Sequence, residues 1–236
     1  VYRRCLCADR ERIPGFLPSN CCRFASAIKT VPDEGSMPER NRQPLILASA
    51  SPRRRQLMSE AGYEFSVVPP DVDESSFKTS DVKPVEHANR LALAKAKSVA
   101  QKYPDSIVIG ADTIVDFQGR IIGKAADAKE AERITRKLFS APHKVITGVA
   151  IVRLNDGTEL VQSDSTTVYP RKMTAEQIAE HIEGGSWRNK AGAYAIKETG
   201  DEFIEKIEGS LTNVIGLPTE LLESLLAGLK ISVKKS

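Results

Sequence analysis

Three arginines, Arg53, Arg54 and Arg55, follow a Ser-Pro pair at the end of an apolar run in the stretch LILASASPRRRQLMSEAGYEF, Leu45 to Phe65. A guanidinium presents a planar fork of donors that matches phosphate oxygens two at a time. Arginine is disfavoured at a helix start, where the backbone dipole is already positive, so such a cluster suits a bound anion; the plain alternative is a solvated basic helix start. Two more cations stand further along, Lys95 in RLALAKAKS and Lys124 after Gly123 in IIGKAAD. Two acids accompany them, Glu74 in PPDVDES and Asp112 in SIVIGADTIVD, with Thr113 adding a hydroxyl beside Asp112. A carboxylate among cations can hold a divalent ion or activate a water for attack on phosphorus. Each residue has an ordinary reading too: Lys95 as a solvent lysine, Glu74 as a loop carboxylate, Asp112 as a turn or cap.

These side chains must be positioned by the elements around them. Leu45 to Ser49 reads as a strand, and Pro52 to Ala61 as a helix with Ser51 at its N-cap, Pro52 in the first helical position and Gly62 closing it. Tyr63 to Val68 reads as a second strand, and about Pro84 to Lys102 as a long helix carrying Lys95. Ile107 to Val115 is a strand that ends in the region of Asp112, where open α/β sheets bind ligands, and Gln118-Gly119 turns it into Ile121-Ile122. Asp127 and Glu130 suggest a capping box for a helix to about Phe139. A strand from His143 to Leu154, an Asp156-Gly157 turn and a return strand to Tyr169 make a hairpin. Thr174 and Gln177 cap another helix, and Gly216-Leu217-Pro218 precedes the last. Alternating strands and helices around a central hairpin predict an α/β protein with a mixed sheet.

Composition narrows the classes. Of 236 residues, 41% are hydrophobic and 28% charged, which is ordinary for a soluble globular chain, and no apolar run approaches the ~20 residues of a membrane span. The net charge of +3 is concentrated at the start: residues 1–43 carry eight Lys+Arg against five Asp+Glu, and the remainder carries 26 of each. A neutral body argues against a general nucleic-acid binder. All four cysteines, Cys5, Cys7, Cys21 and Cys22, lie in those first residues, at spacings that supply neither a disulfide framework nor a zinc site. Residues 1–43 are therefore expected to be a disordered or non-native extension, with the first methionine at Met37, and residues 44–236 the working domain. The chain has no nucleophile elbow, P-loop or GxGxxG, and His143 reads as structural.

Taken in order, S-x-S-P-R-R (Ser49 to Arg54), D-E (Asp73, Glu74), Lys95, G-A-D-T (Gly110 to Thr113), G-K (Gly123, Lys124), H-x-V-x-T-G-V (His143 to Val149), A-G-A-Y-A-I (Ala191 to Ile196) and N-V-I-G-L-P (Asn213 to Pro218) form a pattern. It closely resembles the Maf family of nucleoside triphosphate pyrophosphatases, also called septum formation inhibitor proteins, over about residues 44 to 230. The resemblance implies an α/β fold like that of inosine triphosphate pyrophosphatases: a long mixed sheet flanked by helices, with two lobes and a central cleft. It implies cleavage between the α and β phosphates with Mg2+ or Mn2+, in the cytoplasm, without a membrane or a stable nucleic-acid complex, and it allows a homodimer. Carried over by motif, Asp112 is the general base and shares the metal with Glu74, while Ser49, Ser51, Arg53, Arg54, Lys95, Thr113, Lys124 and Lys197 bind substrate.

G-A-D-T with H-x-V-x-T resembles the branch acting on dTTP and UTP, including modified uridines. One departure bears on the base: Lys197 stands where that branch commonly has a glutamine, and lysine cannot accept the hydrogen bond that a glutamine carbonyl would. The family's older name suggests the alternative, a non-catalytic nucleotide- or nucleic-acid-binding regulator of division. Asp112 separates the two, since a pure binder has no need of a carboxylate opposed to phosphate.

Overall fold

In the computed structural model, which describes residues 44–77, 79, 82–188, 190–194 and 203–229, the apolar run Leu45–Ala48 is a fully buried strand, β1. The proposed extension, residues 1–43, and Lys197 lie outside the described residues. Helix α1, Pro52–Glu60, starts as its sequence dictates: the Ser51 hydroxyl accepts from the Arg54 amide and Pro52 takes the first turn. Gly62, at φ 79°, lets the chain leave it. Strand β2 is shorter than the apolar pattern suggests, pairing only through Ser66–Val67, because Pro69 and Pro70 follow at once and have no amide hydrogen for a ladder.

Helix α2, Pro84–Ala100, leads to the long strand β3, Ile107–Phe117, which turns through Gln118 and Gly119, both at positive φ, into the short strand β4, Arg120–Ile122. Helix α3, Ala128–Leu138, is capped by Asp127, whose carboxylate accepts from the Glu130 amide at 2.7 Å. The expected reciprocal bond is displaced by one residue, as the Glu130 carboxylate accepts from the Ala126 amide at 2.9 Å. Strands β5, His143–Arg153, and β6, Thr158–Pro170, form the long hairpin, and helix α4, Ala175–Glu183, carries the full Thr174–Gln177 capping box. Strand β7, Ile204–Glu208, and helices α5, Leu211–Ile215, and α6, Thr219–Gly228, complete the described chain.

The strands form one mixed sheet in the order β2-β1-β3-β5-β6-β7. Its β2-β1 and β1-β3 pairs are parallel and the remainder antiparallel. The length of β3 explains the two lobes. Its first half, with Ile107, Ile109 and Ala111, packs in a core with Leu57 and Met58 of α1 and Leu222, Leu225 and Leu226 of α6. Its far end, with Val115 and Phe117, packs in another with Ile134 and Leu138 of α3, Trp187 and Tyr194. Thr113 lies on the same face between them, where one core gives way to the other.

The opposite face of β3 is covered by α2. Ala88, Ala92, Ala96 and Ala100 recur every four residues, forming one fully buried stripe. Beneath it the sheet presents glycine: a Cβ on Gly110 would stand 2.3 Å from the Ala92 carbonyl oxygen, and one on Gly148 2.6 Å from that of Ala88. Small residues on both surfaces bring the helix backbone down onto the sheet, which sets the height at which Lys95 meets β3.

Candidate active site

One edge of β3 is paired along residues 108–116 with β5. The other edge is shared: β1 pairs with residues 107–110 and β4 with 115–117. Between them, from Ala111 to Ile114, the edge has no strand beside it among the described residues. Side chains alternate across a strand, so Asp112 points towards α2 and Thr113 towards α1 and α5. Both nonetheless line a single cavity of about 380 Å³, since it wraps around that open edge.

Of the described residues singled out from the sequence, Ser49, Ser51, Arg53, Arg54, Glu74, Lys95, Asp112, Thr113 and Lys124 line this cavity, whereas Arg55 does not. On the α2 side, the Lys95 ammonium lies 2.6 Å from Asp112 Oδ1 and 2.6 Å from Glu74 Oε1, and Lys124 Nζ lies 3.2 Å from Glu74 Oε2. Lys95 is thus no solvent lysine, with 8% of its side chain exposed. Burial tends to raise the Glu74 pKa, but the hydrogen bonds and charges of Lys95 and Lys124 outweigh it and hold the carboxyl at about 2. Asp112 Oδ2 makes no hydrogen bond among the described residues, which leaves it for whatever enters the cavity.

On the α1 side, Arg54 donates from Nε to the Gly216 carbonyl oxygen at 2.8 Å, from Nη2 to Thr113 Oγ1 at 3.0 Å and from Nη1 to Ser49 Oγ at 3.5 Å. All three acceptors are neutral. Neither Arg53 nor Arg54 has an ion pair with a carboxylate among the described residues. Burial pushes the Arg54 pKa down; Asp112 and Glu74 pull it back and Arg53 adds to the fall. Arg53 is lowered by burial as well. Two partly desolvated guanidiniums with no carboxylate ion pair among the described residues can accept an external anion.

Residues that the sequence reading left without a role complete the cavity. The main-chain oxygen of Gly216 anchors Arg54, at a position where φ is 134° and an L side chain is strained. Val115, Val145, Ala191, Tyr194 and Val214 supply an apolar part of the cavity wall. Tyr194 is fixed there by a 2.6 Å bond between its hydroxyl and Nε2 of the buried His143, in keeping with the structural reading of that histidine, whose pKa burial lowers. Lys190, outside the cavity lining, is a further cation: burial and the charge of Arg53 both lower its pKa. A lysine within the K-A-G-A-Y run was the available signal.

A family model described as Maf-like protein matches residues 44–229. The chain belongs to the Maf-like protein family. Among its relatives is a dTTP/UTP pyrophosphatase of Citrifermentans bemidjiense, 43% identical over 182 residues, or 77% of this chain and 93% of that one. The dTTP/UTP pyrophosphatases of Geotalea uraniireducens and Symbiobacterium thermophilum are 45% and 44% identical, over 77% and 75% of this chain and 93% and 89% of their own. A solved structure of a HAM1 protein from Coxiella burnetii is similar with a TM-score of 0.41 and 15% identity, covering 80% of this chain and all of that one. The matched Maf-like region contains every described residue of the cavity.

Proposed function

We propose that this Maf-like chain is a nucleoside triphosphate pyrophosphatase acting on dTTP and UTP, including modified forms, and releasing the monophosphate and pyrophosphate. The observation that carries this reading is the open edge of β3, where two carboxylates and several cations from different elements converge on a single cavity. The relatives' name supports the choice of substrate.

Asp112 Oδ2 takes a proton from water as the water oxygen attacks the α-phosphorus. The bond from that phosphorus to the α,β-bridging oxygen breaks, and pyrophosphate leaves with the electron pair. Arg53, Arg54, Lys95 and Lys124 neutralise the phosphate oxygens as charge builds on the leaving group. Ser49 and Ser51 hold the loop that presents the arginines: the Ser51 amide donates to Ser49 Oγ at 3.2 Å and the Ser51 hydroxyl caps α1. Thr113 acts from the side, as a neutral acceptor for Arg54. Lys197 is assigned to the base end by motif alone.

The two carboxylates suit a divalent cation. They already meet one shared cation, the Lys95 ammonium, so a single positive centre can touch both, and both offer hard oxygen ligands. Mg2+ or Mn2+ would be held by one or both of these carboxylates and completed by phosphate oxygens and water. When bound, the ion supplies positive charge to the phosphates. The reaction belongs in the cytoplasm, where nucleoside triphosphates are found, and no described helix is long and apolar enough to cross a membrane.

The test is to incubate the full chain with Mg2+ and dTTP, UTP, CTP, GTP or 7-methyl-GTP and measure pyrophosphate separately from phosphate. Pyrophosphate release confined to dTTP and UTP is expected. Release from another base keeps the chemistry and moves the substrate, and Lys197→Gln is then the first variant to examine. No release from any of them overturns the reading in favour of a non-catalytic binder.

A further inference from the structure

We propose that Thr147 and Asn213 are positioning residues that aim the Arg54 fork into the cavity through a one-way chain of hydrogen bonds; this rests on the reading of Arg54 as a phosphate ligand. Neither residue lines the cavity, and both are fully buried. The Thr147 hydroxyl donates to the main-chain oxygen of Asn213 at 3.0 Å and lies 3.0 Å from the Thr113 hydroxyl. A hydroxyl has one hydrogen. With the Thr147 hydrogen given to Asn213, Thr113 is the donor of a bond between the two threonines, and whether its one hydrogen goes to Thr147 or to Gly216 its oxygen is left to accept from Arg54 Nη2. The polarity of the chain therefore runs from Arg54 to Thr113 to Thr147 to the Asn213 carbonyl.

Asn213 also fixes the second anchor. Its side-chain amide donates to the Val145 carbonyl at 3.0 Å and to Thr166 Oγ1 at 2.8 Å, fastening α5 to β5 and β6. Three residues further on, the Gly216 carbonyl accepts from Arg54 Nε and lies 3.3 Å from the Thr113 hydroxyl, a second acceptor for its one hydrogen. With Ser49, these contacts engage three of the five guanidinium N–H groups in a set orientation and leave the other two for a ligand. The chain ends on a cation at the cavity, so its loss should be felt by an anion there.

The experiment measures binding of inorganic tripolyphosphate to the full chain by calorimetry, a probe indifferent to base and turnover. Thr147→Val keeps the shape of the side chain without its hydroxyl, and Thr147→Ser restores it; Arg54→Lys keeps the charge without the fork. Thr147→Val and Arg54→Lys are each expected to weaken binding about tenfold, Thr147→Ser to bind within about twofold of the wild type, and the Arg54→Lys/Thr147→Val double variant to bind like Arg54→Lys alone. Wild-type binding by Thr147→Val, failure of serine to rescue, or a double variant showing the product of the two losses overturns the positioning role. Wild-type binding by Arg54→Lys, or none by the wild type, instead overturns the phosphate reading of Arg54 and removes the positioning role with it.

Discussion

Gly110 of β3 and Ala92 of α2 approach so closely that a Cβ on the glycine would lie 2.3 Å from the alanine carbonyl oxygen. Backbone atoms cannot yield as a flexible side chain would, so Gly110→Ala must push α2 off the sheet, and Lys95 moves with it. The expected cost is about 1–3 kcal/mol of stability, with lower activity. Gly228→Ala, where an added Cβ has nothing within 4 Å, should change neither by much. Urea unfolding and pyrophosphate release on both variants check this.

The Glu74 carboxyl, held at about 2 by Lys95 and Lys124 against the opposing effect of burial, makes stability depend on pH in a stated direction. Above its ordinary value of 4.5 the folded and unfolded chains both carry the charge, and its contribution is fully present. As the pH falls from there towards 2, the unfolded chain takes up the proton first and stability is lost. With 43% of the side chain exposed, solvent screening keeps the effect small. Glu74→Gln should flatten that part of the acid limb, measured by denaturant unfolding between pH 5 and pH 2.

Asp112→Asn keeps the size of the side chain and removes the negative charge and the proton acceptor. Turnover should fall by roughly 10²–10⁴, while the affinity for UTP holds or rises because a charge opposed to phosphate is gone. Pyrophosphate release and calorimetry on the same preparation separate the two. A variant that hydrolyses UTP at the wild-type rate would dismiss Asp112 as the base.

Burial and the charge of Arg53 both lower the Lys190 pKa, so an anion bound at Arg53 should ease the repulsion between them. Lys190→Ala should raise KM for the triphosphate about tenfold at low salt, and Lys190→Arg should recover most of it. An unchanged KM in the alanine variant would confine Lys190 to the protein's own packing.

The elements and the cast of charged residues were legible in the linear sequence because their causes are local. Ser51 with Pro52, Thr174 with Gln177, and Gln118-Gly119 determine caps and a turn within a few residues of themselves. The spacing of acids and bases marked Arg53, Arg54, Glu74, Lys95, Asp112 and Lys124, all of which line the cavity.

How those residues relate to one another was decided only by the tertiary structure. Lys95 has the sequence context of a surface lysine; it is buried because glycines in strands β3 and β5 let an alanine-striped helix descend onto the sheet. Asp112 and Thr113 alternate to opposite faces of one strand, which taken locally would separate them. They share a cavity because β1 and β4 each cover part of the same edge of β3 and leave the middle open. Asn213 and Gly216 stand within N-V-I-G-L-P, but neither the Gly216 carbonyl, 162 residues from Arg54, nor the Asn213 amide carries a charge that would mark its role. Their part in the site follows from long-range hydrogen bonds, and these exist only once the chain has folded and water no longer competes for the same donors.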